Sequence, residues 1–523
     1  MLTNDNKLYV AHCDKCPIYF NSKMANRHGL ITGATGTGKT VSLQVLAETF
    51  SQAGIPCFMA DMKGDLSGVS QAGVMNGFIE KRCVEFGISS PCFQPCPVRF
   101  FDVFGEQGHP MRASISSMGP ALLSRILELN PTQEGVLNIV FNIADDEKLP
   151  LIDLKDIRMM LNFVSEHVKQ YIPEYGNMTN ASIGAIQRAL LTLENEGCDK
   201  FFGEPEFDIR DLLDVEDGKG VLSVLAADKL MLHPKVYSTF LLWLLSELYE
   251  NLPEVGDLDK PKLVFFFDEA HMLFDGTSKA MINKVEQVIR LIRSKGVGVY
   301  FISQNPDDIP EIVLGQLANK VQHALRAFTP KDQKAVKAAA QSFRPNPEFK
   351  TEDAIMNLAT GEALVSFLDD KGSPEIVQRA KMLFPLSSIG AISPQQRRVI
   401  NAGVPDKIIV YDETMDSESA YEMLMEIRKQ QEDAAAEEAS KKVETSSKDS
   451  EQKKSGKMKR GLLGTIVGAA AASFLRTTTT QYVRNVTSGK KKTGKKIMQQ
   501  AATNAASSAT RTVINSALKG LFG

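Results

Sequence analysis

Two short stretches hold side chains whose types and spacing suit phosphate chemistry. "GATGTGKT" (Gly33, Ala34, Thr35, Gly36, Thr37, Gly38, Lys39 and Thr40) fits G-x-x-x-x-G-K-[ST] at every defined position. Its glycines admit positive φ, so successive backbone N–H groups can turn inward toward the β- and γ-phosphates of a nucleoside triphosphate. Lys39 offers a cation to those phosphates, and the Thr40 hydroxyl offers a ligand to Mg2+. "KLVFFFDEAH", Lys262–His271, supplies the complement. Asp268 would face the water shell of Mg2+. Glu269, directly after it, is placed as general base for an attacking water. The implied ligands are ATP and Mg2+, and the implied reaction is hydrolysis.

Further residues extend the constellation. "VYFISQNP" places Gln304 at the tip of a strand next to the acidic one, where an amide can contact the γ-phosphate and report its loss. Arg293 and Arg290 precede that strand and could act as an arginine finger. In trans, such a finger would put active sites at subunit interfaces. Arg326 in "HALRAF" is a weaker candidate for the same role.

These residues need a parallel α/β sheet to position them. "RHGLITGATGTGKT" reads as strand, glycine loop and helix start, and "TVSLQVLAETFSQAG" continues as a helix closed by Gly54. "IPCFMADMKGDLSG" is a second apolar strand ending in acidic and glycine-rich turn residues. From Met111 to about Lys200 the apolar spacing turns helical, which predicts an insertion between the second strand and the acidic one. The expected fold is an α/β, RecA-like P-loop NTPase of the ASCE type. It has a mainly parallel central sheet, that helical insertion and a C-terminal helical or disordered tail. The expected divisions are 1–110 and 206–400 for the ATPase core and 111–205 for the helical subdomain. A helix is expected over 401–440 and a basic low-complexity tail over 441–523.

The net charge of −3 hides a split. Residues 452–523 carry fourteen Lys and Arg with no Asp or Glu, whereas residues 1–451 hold 46 basic against 63 acidic side chains, or −17. A basic appendage on an acidic body points to nucleic acid, anionic lipid or an acidic partner. No signal peptide opens the chain, and "GLLGTIVGAAAASFL" is shorter than the roughly 20 residues of a spanning helix, so a soluble, cytoplasmic protein is expected. Seven cysteines, including "CDKC" and "CFQPC", are too few and scattered for a disulfide scaffold and predict no metal site.

The letters DEAH also name a class of RNA helicases, but the surroundings argue against it. Lys39 and Asp268 lie 229 positions apart with a helical block between them. No Q-x-x-G-R-x-G-R and no second ATPase-like domain follow.

Together "GATGTGKT", "MADMKGDLSG", "MGPALLSRILELNPTQEGVLNIVF", "FFFDEAHMLF", "IRSKGVGVYFISQNPDDIPEIVLGQLANKVQHALRAFTPKDQKAVKAAA" and "GEALVSFLD" resemble the HerA-like ATPases of the HerA–FtsK superfamily, in their bacterial YjgR-like branch. The resemblance covers roughly residues 1–400, and the segment 290–340 is its most specific part. It implies a ring ATPase, usually hexameric, that moves double-stranded DNA through a central channel. By position it assigns Lys39 and Thr40 to Walker A, Asp268 and Glu269 to Walker B, Gln304 to the sensor and Arg293 to the finger. Archaeal relatives begin with a small β-barrel, whereas here about 28 residues precede the P-loop strand. Contacts to a nuclease or other protein partner therefore need not carry over. The leading expectation is an ATP-driven motor on double-stranded DNA. The alternative is a regulatory or scaffold ATPase acting on protein or membrane through its basic tail.

Overall fold

A computed structural model describes residues 1–446 apart from Lys15, Asp257 and residues 276–278. The basic tail from residue 447 onward lies outside the described residues. The chain divides into two units, Met1–Ala434 and Ala435–Gly523, and the sheet and every candidate site residue belong to the first.

The strands in chain order are β1 (Leu8–His12), β2 (Pro17–Phe20), β3 (Gly29–Thr32), β4 (Cys57–Asp61), β5 (Val98–Asp102), β6 (His109–Pro110), β7 (Val215–Glu216) and β8 (Lys219–Gly220). They continue with β9 (Leu222–Ala226), β10 (Leu263–Phe267), β11 (Val297–Ser303), β12 (Asn319–Gln322), β13 (Glu362–Ser366) and β14 (Gln378–Met382). Strands β7 and β8 pair apart, and the other twelve form one sheet in the order β2-β1-β14-β13-β12-β3-β11-β10-β4-β9-β5-β6. From β12 to β6 all pairings are parallel, and from β12 back to β2 all are antiparallel. The mainly parallel sheet and the helical insertion match the expected fold class.

Parallel strands covered on both faces read as continuous apolar runs. "LVFFF" of β10 and "VGVYFIS" of β11 are buried at every position. Gly29 opens β3 because a Cβ there would stand 2.3 Å from the Tyr300 ring on β11. That glycine lets the P-loop strand dock against its neighbour.

Helices α1 (Lys39–Gln52) and α2 (Gly77–Phe86) follow β3 and β4. The block α3 (Ile115–Ile126), α4 (Pro131–Asp146), α5 (Leu154–Tyr175) and α6 (Asn180–Asn195) lies between β6 and β7. Its Leu137, Ile157, Leu161 and Leu190 share one core with Phe240 and Trp243 of α7 (Pro234–Asn251) and with Phe265 and Phe267 of β10. The other face of the sheet packs on α1 through Leu43, Leu46 and Phe50. The rest comprises α8 (Lys279–Ile292), α9 (Glu311–Leu314), α10 (Pro330–Gln341), α11 (Thr351–Met356), α12 (Pro394–Ala402), α13 (Asp406–Ile409) and α14 (Ala420–Ser446). No helix among the described residues is long and apolar enough to cross a membrane.

Candidate functional site

The P-loop joins β3 to α1 with positive φ at Gly33, Gly36 and Gly38. Gly38, at φ 114, is the cap of α1 and takes a conformation that a side chain would strain. Thr37 folds the loop on itself, its Oγ1 donating to the Ala34 carbonyl at 2.7 Å. Lys39 bends back along the loop and its Nζ donates to the carbonyls of Gly33 (2.6 Å) and Ala34 (3.2 Å). Burial holds this ammonium below the usual lysine range, against the opposing pull of Glu269 and Asp268. Thr40, half-buried, stands in the first turn of α1.

The far side of the loop is buttressed by neighbouring strands. Ala34 N–H donates to the Ala324 carbonyl (2.8 Å), and Gly361 N–H donates to the Thr37 carbonyl (3.0 Å). His323, buried just past β12, wedges between them. Its Nδ1 donates to the Glu362 carbonyl (2.9 Å), which leaves Nε2 to accept from the Ser42 hydroxyl (2.8 Å). Burial lowers this imidazole to about 4.

The acidic side is contributed by β10 and β4. Their parallel register aligns Phe266 with Met59, so Asp268 and Asp61 leave the sheet side by side. Asp268 is buried, and its Oδ1 accepts from the Glu269 N–H at 2.9 Å. Burial, reinforced by the Glu269 charge, raises Asp268 to about 6. Burial and the nearby Asp65 likewise raise Asp61 to about 6, and its Oδ1 accepts no hydrogen bond. Glu269 sits at φ 48 and is only 6% exposed. Lys63 Nζ reaches its Oε1 at 3.2 Å, while Oε2 accepts no hydrogen bond and has His271 Nδ1 3.5 Å away. Burial acts to lower the Lys63 ammonium, but the hydrogen bond to Glu269 and the surrounding carboxylates outweigh it and hold the group above its usual range.

Gln304 follows β11, which lies between β3 and β10, and its side chain is exposed. The turn behind it is fixed by Asp308 Oδ2, which accepts from Ser303 Oγ (2.6 Å) and Asn305 N–H (3.0 Å). The P-loop, Asp268, Glu269 and Gln304 therefore gather at the carboxyl ends of three adjacent strands. Arg293 does not join them. It opens the turn before β11, at the amino end of that seven-residue strand, so about 20 Å of strand separates it from Gln304. Arg290 is exposed at that same end, 3.8 Å from Glu286. Arg326 is exposed two residues beyond Ala324, on the P-loop side.

The donor set suits a nucleotide and a hard divalent cation. A glycine-rich loop with positive φ at three positions precedes a helix N-terminus, and a hydroxyl and buried carboxylates offer oxygen ligands. A divalent cation would also relieve the crowding of Asp268 by Glu269.

Among family descriptions, that of the helicase HerA-like C-terminal family matches residues 6–523. The chain belongs to this family. The HerA-like chain is similar to the DNA double-strand break repair helicase HerA of Sulfolobus acidocaldarius, 22% identical over 366 residues, which span 65% of this chain and 62% of the relative. It is also similar to a probable helicase of Methanocaldococcus jannaschii, 25% identical over 215 residues, which span 40% of this chain and 35% of the relative. The alignments thus cover under two thirds of either relative's length. Among solved structures, the plasmid coupling protein TrwB in complex with ADP and Mg2+ aligns at TM-score 0.46 and 16% identity, over 72% of this chain and 91% of that one. VirB4 of Thermoanaerobacter pseudethanolicus aligns at TM-score 0.46 and 15% identity, over 73% and 98%.

Three residues at the site escaped the sequence reading: Lys63, Asp61 and His323. "DMKGD" signals the first two through a lysine set among carboxylates after an apolar strand. His323 gives no such signal, because only strand order brings it against Gly33.

Proposed function

We propose that the HerA-like chain hydrolyses ATP and, as a homo-hexameric ring, uses the reaction to translocate or remodel double-stranded DNA. The observation that carries the hydrolytic part is the buried Asp268–Glu269 pair, set one strand away from the strand that ends in the Lys39 loop. The loop amides between Gly33 and Gly38, apart from that of Ala34, which donates to the Ala324 carbonyl, and the Lys39 ammonium bind the β- and γ-phosphates. Thr40 and Asp268 would hold Mg2+, which neutralises phosphate charge when bound. Gln304 contacts the γ-phosphate. Glu269 orients a water and accepts its proton as the water oxygen bonds to the γ-phosphorus, while the bond to the β–γ bridging oxygen breaks and ADP leaves. Arg293 serves the site of a neighbouring subunit. The helical block 111–205 is a lid or ring contact, since its helices carry apolar faces.

DNA as partner rests on the name of the Sulfolobus relative and on the fourteen basic residues of 452–523. Contacts to phosphate give binding that is independent of sequence and steeply salt-dependent. The test is the ATPase rate with and without linear duplex DNA, measured alongside solution mass. Stimulation by DNA in a hexamer supports the reading. A fully active monomer removes the ring. An unstimulated enzyme that pellets with anionic vesicles moves the assignment to the scaffold alternative.

A further inference from the structure

The segment "DMKGD" contributes to the family resemblance, yet the reaction just described gives it no role. Its lysine contacts the general base directly, with Lys63 Nζ 3.2 Å from Glu269 Oε1. We propose that Lys63 is a positioning residue for hydrolysis, fixing the Glu269 carboxylate so that one oxygen is held and the other keeps its lone pairs free of hydrogen bonds. The inference rests on the hydrolytic reading of this site.

Three observations support it. The first is register: Asp61 and Asp268 leave adjacent parallel strands at the same level, so the turn after Asp61 runs beside the turn after Asp268, and there Lys63 meets Glu269. The second is the mount on which Lys63 sits. Asp61 Oδ2 accepts the Leu66 N–H at 3.2 Å, and Ser67 Oγ donates to the Gly64 carbonyl at 3.0 Å, which pins the turn on both sides of the lysine. The third is the state of the carboxylate itself. Glu269 occupies the left-handed region at φ 48, a conformation that persists in a non-glycine residue only where its surroundings fix it. Its side chain is buried to 8% exposure while that of Lys63 is 47% exposed, so the lysine can hold the carboxylate and still be reached by solvent. Oε1 is engaged, whereas Oε2 is buried and accepts no hydrogen bond, its nearest cationic neighbour being His271 Nδ1 at 3.5 Å. A base must keep a lone pair available and must be held within a fraction of an ångström of its working geometry.

The full chain tests this through K63M, K63R, E269Q and the K63M/E269Q pair, measuring ATP affinity by calorimetry and turnover by phosphate release. In K63M, turnover is expected to fall about 10- to 100-fold, as misplacement of a catalytic group does, with ATP affinity within about 3-fold of wild type, the signature of an interaction lost from the transition state. K63R, which keeps the charge and reach, should restore most of that turnover. The double variant should turn over no more slowly than E269Q alone, because the lysine acts through the glutamate. K63M with wild-type turnover overturns the inference. So does a loss in ATP affinity as large as the loss in turnover, which would make Lys63 a phosphate ligand instead. A wild-type chain that binds ATP without hydrolysing it removes the hydrolytic reading, and this inference with it.

Discussion

At the carboxyl ends of β3, β4, β10 and β11 the chain gathers Lys39, Lys63, Asp268, Glu269 and Gln304, while at the amino ends of β3 and β11 stand His28, Arg290 and Arg293. The first group is where open α/β sheets bind ligands. It pairs cations with carboxylates, several of them buried and held away from their usual protonation ranges. The second group is mostly cationic. Arg293 there helps burial lower His28 to about 4, and it lies too far from the P-loop of its own subunit to touch a nucleotide held there. One end thus carries the groups proposed to bind phosphate and activate water. The cation proposed for the transition state sits at the other end. Assembly becomes part of the chemistry under this reading, and each end can be tested separately.

The largest effects are expected at the carboxyl ends. K39A should abolish nucleotide binding, measured by calorimetry with Mg·ATP. E269Q should bind ATP with near wild-type affinity yet lose about 10²- to 10⁴-fold in turnover, the usual contribution of a general base. E269Q hydrolysing at the wild-type rate would take Glu269 out of catalysis.

At the amino ends, R293A should keep ATP affinity and lose about 10³-fold or more in turnover if the finger acts across subunits. A 1:1 mixture of K39A and R293A subunits should then recover about a quarter of wild-type activity, because that fraction of interfaces pairs an intact loop with an intact finger. R326A is the control that sharpens the comparison. Arg326 lies on the P-loop side, so R326A failing while R293A stays active would transfer the finger to the other end of the sheet.

Much of the carboxyl-end site was legible in the sequence, because the P-loop and the acidic strand are contiguous motifs whose chemistry follows from residue type. Gln304 was legible through the strand it terminates. Lys63 was not, since its partner lies 206 positions away and the two meet only through the β4–β10 register. His323 was hidden for the same reason. The parallel core could be read from buried apolar runs, but the antiparallel flank could not. Its β1–β2 hairpin joins the sheet through Ala11 and His12 opposite Met382 and Lys381, a pairing between the two ends of the domain that no local pattern encodes. Where Arg293 would find its phosphate is a property of an assembly, beyond what one chain's pattern can specify.

A moderate effect is expected from the two buried imidazoles, His323 near the P-loop and His28 at the opposite end. Burial lowers each from 6.5 to about 4. Between those values the unfolded chain takes up protons that the folded chain refuses. Stability is therefore full above about pH 6.5 and falls as the pH drops through the window, by up to about 1.4 kcal/mol per pH unit for each histidine. Urea midpoints at pH 7 and pH 5 should differ accordingly, and H323Q should flatten the slope, since glutamine keeps a polar contact but cannot titrate. An unchanged slope in H323Q would mean that His323 is already protonated in the folded chain.

The smallest effect belongs to Arg290, three residues before Arg293. Its guanidinium is exposed and meets Glu286 only at 3.8 Å along the same helix. Glu286 is buried and also accepts from Gln316 Nε2 at 3.4 Å, so the long contact to the exposed, water-screened guanidinium is expected to contribute no more than about 1 kcal/mol. R290A should therefore shift the unfolding midpoint by no more than that and leave turnover at the wild-type level. Paired with R293A, this isolates position from charge: both substitutions remove one cation from the same end of the sheet, and only one should stop hydrolysis. If R290A lost turnover as R293A is expected to, the amino-end cations would act as a collective field. The assignment of a single finger to Arg293 would then fall.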